Sequence, residues 1–70
     1  MNKKSKFAER LKELRKERNM SQMDLALATH ISQSAIAKWE LGKTEPTASA
    51  LIILADFLGE TTDYLLGLTD

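Results

Sequence analysis

Gln33, Ser34, Ala37 and Lys38 are the residues of this chain best suited to do chemistry. They fall at i, i+1, i+4 and i+5, which places them on one side of an α-helix. Together they offer an amide, a hydroxyl, a methyl and an ammonium group. Each has a use against the base edges of a DNA duplex. An amide pairs bidentately with adenine, an ammonium donates to guanine, a hydroxyl serves either, and a methyl packs on the thymine methyl. An ordinary solvent-facing surface would carry the same mixture, so this face alone admits both readings.

The elements around these four residues narrow the choice. Ile36 and Trp39, with Ala35 and Glu40 beside them, lie on the opposite side of the same helix and form its core face. Ser32 caps that helix and Gly42 stops it, giving a helix over 32–41. A second helix precedes it. Ser21 and Asp24 form a capping box at its start. Leu25 and either Ala28 or Thr29 point inward, and Ala26 is small enough for a close helix crossing. The intervening turn needs a residue at positive φ, and His30 is the candidate, histidine being one of the few non-glycine residues enriched there. Two short helices joined by a tight turn form the unit that sets one helix in a DNA major groove. Beyond it, Lys43 and the backbone N–H groups of Gly42, Lys43 and Thr44 suit a phosphate clamp.

The flanking segments read as support. Phe7, Leu11 and Leu14 make one apolar stripe on a first helix over 5–18, with Ser5 as N-cap and Asn19 as its left-handed stop. Lys3, Lys4 and Lys6 precede that stripe, and residues 1–5 are expected to be a flexible basic arm, either solvating or adding phosphate contacts. Thr47 caps a fourth helix over 48–58, whose core face is Leu51, Leu54, Ala55 and Leu58. Ile53 lies roughly 150° from the centre of that face at 100° per residue. Ile53 and Phe57 are therefore either extra core or a surface for a partner. Thr61 or Thr62 caps a fifth helix over 63–66, ended by Gly67. Leu65 completes the core, and Tyr64 and Leu68 join Ile53 and Phe57 as candidates for a subunit interface. The expected fold is all-α, with five short helices around one core.

Seventy residues allow one domain, spanning 1–70, and a chain this short buries only about 60% of its unfolded surface. No cysteine is present and His30 is the sole histidine, so no thiolate metal site or Cys–His pair can form. Nothing supplies a nucleophile, base and pocket together, so neither an enzyme, a metal nor a cofactor is expected. No apolar run approaches the roughly 20 residues that span a bilayer. The basic start lacks the apolar centre of a signal peptide, so a cytoplasmic protein is expected. Net charge is zero but unevenly placed. Residues 1–18 hold eight Lys or Arg against three Glu, a net of +5, and residues 19–70 balance it at −5. Such asymmetry hints at a polyanionic partner, although a solvated amphipathic helix would show it too.

Taken together, Gln22-x-x-Leu25-Ala26, then Ile31-Ser32-Gln33-Ser34-x-Ile36-x-x-Trp39-Glu40-x-Gly42-Lys43-x-x-Pro46, resemble the Cro/repressor-type (XRE, lambda-repressor-like) helix-turn-helix family. Leu51-x-x-Leu54-Ala55-x-x-Leu58-Gly59 and Asp63-Tyr64-Leu65-Leu66 extend the likeness to about residues 6–67. The resemblance implies a lambda-repressor-like DNA-binding domain with its helix-turn-helix at about 22–41. It implies that Gln22 bonds a phosphate and braces Gln33, and that Gln33, Ser34 and Lys38 read bases, with Ala37 on the same face. It places Lys43 and Thr44 against phosphates, and Arg15 with Glu40 as an ion pair bridging the first and third helices. Two departures from the family pattern stand out. His30 replaces the usual turn glycine, and Ile53 and Glu60 invert the usual polar and apolar choices.

The leading expectation is a sequence-specific regulator of transcription, bacterial or phage-borne and most simply a repressor. It would bind a palindromic double-stranded operator as a homodimer, because one small domain offers few base contacts. No membrane or small-molecule ligand is expected. The competing expectation is a protein-interaction module that kept the fold and lost the DNA, motivated by the zero net charge and by apolar Ile53, Phe57 and Leu68.

Overall fold

Polar caps and left-handed stops cut the chain into five helices. The computed structural model describes residues 5–70. It contains α1 (Phe7–Glu17), α2 (Gln22–Thr29), α3 (Gln33–Glu40), α4 (Ala48–Leu58) and α5 (Thr62–Leu66), with no strand among the described residues. Ser21, Ser32, Thr47 and Thr61 cap α2 to α5 by accepting a backbone N–H three residues on. At α2 the Asp24 carboxylate returns the bond to the Ser21 N–H, which holds that carboxyl below its ordinary range. Thr61, rather than Thr62, is the cap of α5.

The start of α1 differs from expectation. Lys6, not Ser5, occupies the N-cap position, without a side-chain cap, so the cap lies one residue later than expected and the helix begins at Phe7, the first residue of its apolar stripe. Ser5 Oγ instead accepts the Phe7 N–H at 3.4 Å and donates to Glu45 Oε1 at 3.2 Å. The Lys6 N–H donates to the Leu66 carbonyl at 3.3 Å. Its methylenes lie so near Gly67 that a Cβ there would meet them at 2.8 Å. Ser5 and Lys6 are therefore fastened to the fold. The rest of the expected arm, with Lys3 and Lys4, lies outside the described residues.

The core collects Phe7, Leu11 and Leu14 of α1, Leu25 and Ala26 of α2, Ile36 and Trp39 of α3, Leu54, Ala55 and Leu58 of α4, and Leu65 of α5. Phe7 meets Trp39 edge to face, with ring centroids 5.9 Å apart, and so ties the first helix to the back of the third. Leu51 is only half-buried against this cluster. Thr29 is the buried residue at the end of α2, not Ala28. Its hydroxyl donates to the Leu25 carbonyl at 2.7 Å and accepts the Ile31 N–H at 3.4 Å, so its polar atom is satisfied inside the turn. His30 follows at φ 61°, the left-handed conformation that the α2–α3 turn requires.

Part of the N-terminal positive charge serves the fold itself. Arg10 donates to the carbonyls of Tyr64 (2.7 Å) and Thr69 (2.6 Å) and stacks over the Tyr64 ring at 4.1 Å. Arg18 donates to the carbonyls of Leu14 and Leu58, at the C-terminal end of α4. Arg15 bonds Glu40 and the Met20 carbonyl. Three of the eight N-terminal cations, Arg10 and Arg15 of α1 and its C-cap Arg18, thus fasten α5, α3 and α4, so the charge asymmetry points less to a polyanion than the bare sequence suggests.

Candidate nucleic-acid interface

α3 is held from behind. Ile36 is fully buried and Trp39 nearly so, while Gln33, Ser34 and Lys38 are exposed and Ala37 is half-buried. The width of the helix thus separates an apolar anchor from a polar outer face. Capping by Ser32 fixes where the helix begins, and Leu41 followed by Gly42 at φ 74° ends it. Beyond that end, the N–H groups of Gly42 and Lys43 donate to the carbonyls of Trp39 (3.0 Å) and Lys38 (2.9 Å). They terminate the helix and are not free for a phosphate, contrary to the sequence expectation. The Lys43 and Thr44 side chains remain exposed beside the helix, and the Thr44 N–H has no partner among the described residues.

The ion pair between α1 and α3 is bidentate. Arg15 Nε and Nη2 donate to Glu40 Oε2 and Oε1, both at 2.8 Å, and Nη1 donates to the Met20 carbonyl at 2.7 Å. The two side chains are only 10% and 4% exposed. Burial raises the Glu40 pKa, but the hydrogen bonds from Arg15 and Gln22, with the charges of Arg15 and Lys12, outweigh it. The carboxyl is held below its usual range. The hydrogen bond to Glu40 correspondingly raises the Arg15 pKa.

A contact invisible to sequence spacing extends this pair outward. Gln22 Nε2 donates to Glu40 Oε1 at 3.2 Å. Gln33 Nε2 donates in turn to Gln22 Oε1 at 2.9 Å. Arg15, Glu40, Gln22 and Gln33 therefore form one chain of bonds from the interior to the tip of α3. The separation of 18 positions between Gln22 and Glu40 leaves no local signal for such a contact; only the packing of α2 across α3 creates it.

The residues considered for a subunit interface lie elsewhere. Ile53 is 43% exposed, Phe57 42% and Leu68 70%, and Ile52, not singled out from the sequence, is 61% exposed. Tyr64 is half-buried against the core and carries Arg10 on its ring. Among the described residues no helix is long and apolar enough to cross a membrane, and no cluster of three His, Cys, Asp or Glu residues could hold a metal ion.

Known proteins resemble this chain. The chain is 40% identical over 60 residues to the HTH-type transcriptional activator BcrR of Enterococcus faecalis, covering 86% of this chain and 29% of that protein. It is equally similar to the SPbeta prophage-derived uncharacterized HTH-type transcriptional regulator YonR of Bacillus subtilis, covering 86% and 56%. The chain thus spans roughly half or less of the relatives it matches. A crystal structure of an HTH_3 family transcriptional regulator from Vibrio cholerae superposes with a TM-score of 0.79 at 30% identity, covering 91% of this chain and 36% of that one. The helix-turn-helix family model HTH_3 matches residues 11–65, a span that holds the whole α2–turn–α3 unit and the Arg15–Glu40 pair behind it, and the chain belongs to that family.

Proposed function

We propose that this domain is a sequence-specific, double-stranded DNA-binding regulator of transcription that reads the major groove with the helix over 32–41. The observation that carries the reading is the division of α3: Ile36 and Trp39 anchor one side, and exposed Gln33, Ser34 and Lys38 stand on the other with Gln33 already fixed by Gln22. Gln33, Ser34, Ala37 and Lys38 contact bases. Gln22 uses its second N–H, and Lys43 and Thr44 their side chains, to hold phosphates. Its regulatory relatives support this function.

Useful affinity from so few contacts calls for a homodimer on a palindromic operator, with half-sites about one helical turn apart. Ile53, Phe57 and Leu68 supply its apolar surface, and Tyr64 contributes only at the edge because Arg10 covers it. Action as a repressor, in the cytoplasm and on the nucleoid, is the simplest mode, since a bound domain occludes its site. Placing the selected operator upstream of or across a promoter and measuring transcription separates repression from activation, the activity in the name of the relative BcrR.

Binding to duplex DNA at increasing salt tests the reading. Each phosphate neutralised contributes about −0.9 to the slope of log K against log salt, so several contacts give a steep fall. The exposed Ile52, Ile53 and Phe57 favour one rival, a module that docks protein alone. Absence of duplex binding at low salt, with tight binding to a protein partner, would establish that rival.

A further inference from the structure

The bond chain that ends at Gln33 has a direction, and the direction carries information. An ionised carboxylate accepts hydrogen bonds and cannot donate, whereas a guanidinium only donates. Glu40 is clamped by Nε and Nη2 of Arg15, and Nη1 of Arg15 is fixed to the Met20 carbonyl, so the carboxylate cannot turn away. The Gln22 group facing Glu40 Oε1 must therefore be its NH2. The Gln22 carbonyl is then directed at Gln33 and demands a donor, which is the Gln33 NH2. One Gln33 N–H is consumed. Its carbonyl oxygen and its second N–H remain for the groove.

We infer that Glu40 is a positioning residue for base choice: acting through Gln22, it fixes the amide polarity of Gln33 so that α3 presents one acceptor and one donor, which selects adenine over guanine. Adenine offers the complementary pair, an N6 donor and an N7 acceptor, whereas guanine offers two acceptors, O6 and N7. A glutamine free to turn over could meet guanine with its NH2 alone, so the discrimination comes from the chain of bonds behind it. The inference rests on the proposed reading of α3 as the base-contacting helix.

Gln22 is the place to test it, because it is half-buried at the surface and outside the core. Gln22→Lys keeps a donor toward Glu40 but offers Gln33 only a donor. Gln33 must then turn its carbonyl inward and its NH2 outward. Sequences selected from a random duplex library by the wild type should carry adenine at the Gln33 position, preferred over guanine by about 5- to 150-fold. Gln22→Lys should reverse the preference toward guanine, and Gln22→Met should bring it toward parity. An added phosphate contact from lysine would strengthen all sequences alike and leave the ratio alone. An unchanged adenine-to-guanine ratio in both variants would overturn the inference.

The step from Glu40 is tested by Arg15→Met with Glu40→Leu, which fills the buried site with apolar side chains and leaves no unpaired charge. Loss of adenine preference in this folded variant supports the role of Glu40, and retention refutes it. If the pair of substitutions prevents folding, the DNA-free wild type decides by nuclear magnetic resonance. Through-hydrogen-bond coupling should run from Gln22 Nε2 to the Glu40 carboxylate carbon and from Gln33 Nε2 to the Gln22 carboxamide carbon; absence of the first, or the reverse direction of the second, defeats the inference. Correct coupling in a protein that binds no duplex would sink the DNA reading and leave the polarity chain standing.

Discussion

The outer faces of α3 and α4 are both open to solvent, yet they are prepared in opposite ways. On α3, Gln33 is fixed by bonds that run back through Gln22 to a buried ion pair. On α4, Ile52, Ile53 and Phe57 stand exposed, and only their helix orders them. Polar readout depends on angle and donor–acceptor order, so it gains from being set in advance. An apolar surface needs area and shape and can adjust side chains on contact. The difference suggests a division of labour, with α3 meeting a ligand of fixed geometry and α4 a second protein surface.

The comparison breaks most readily at the ion pair. Glu40→Ala leaves the Arg15 guanidinium buried without its partner and should cost about 3–5 kcal/mol of folding stability, read by denaturant unfolding. A loss below 1 kcal/mol would mean that α3 is held by its apolar anchor alone. The same pair sets an acid limit. Because the folded Glu40 pKa lies below its unfolded value, its contribution is fully present above the ordinary carboxylate range and disappears as pH falls through the folded pKa. Melting temperatures measured downward from neutral pH should fall across that window, and less so in Arg15→Met with Glu40→Leu.

Smaller changes sharpen the contrast. Lys38→Ala should weaken binding to the selected operator by about 1–3 kcal/mol and relax preference at one base pair. An equal loss on every sequence would reassign Lys38 to a phosphate. His30→Gly relieves the left-handed residue but frees the unfolded chain, so stability should change by less than about 1 kcal/mol. A larger loss of operator affinity would show that His30 sets the angle of α3. Ile53→Lys, on the exposed face, should leave monomer stability within about 0.5 kcal/mol and reduce self-association in ultracentrifugation. Unchanged association would remove Ile53 from any dimer interface.

Much of this was legible from local pattern. The α4 bounds follow from Pro46, Thr47 and Gly59, because caps and stops act within a turn of their own residue. The two sides of α3 follow from helical spacing, and the Arg15–Glu40 contact from the family resemblance. Illegible were the interactions of long side chains. Nothing local to Arg10 or Arg18 says that each reaches a carbonyl about 40 to 60 residues away. The clamp N–H groups of Gly42 and Lys43 looked available because their use depends on how the helix end closes.

The sequence by itself determined the five helices, the caps of α2, α3 and α4, the left-handed turn at His30 and which stripe of each helix is apolar. These depend on contacts within a few residues and on the 3.6-residue period. Only the tertiary structure decided where Arg10 and Arg18 go and that Gln22, expected to brace Gln33, also bonds Glu40 and so completes one directed chain. Those contacts exist because helices distant in sequence cross at fixed angles around a shared core, and that core brings a carboxylate within reach of one glutamine and that glutamine within reach of the next.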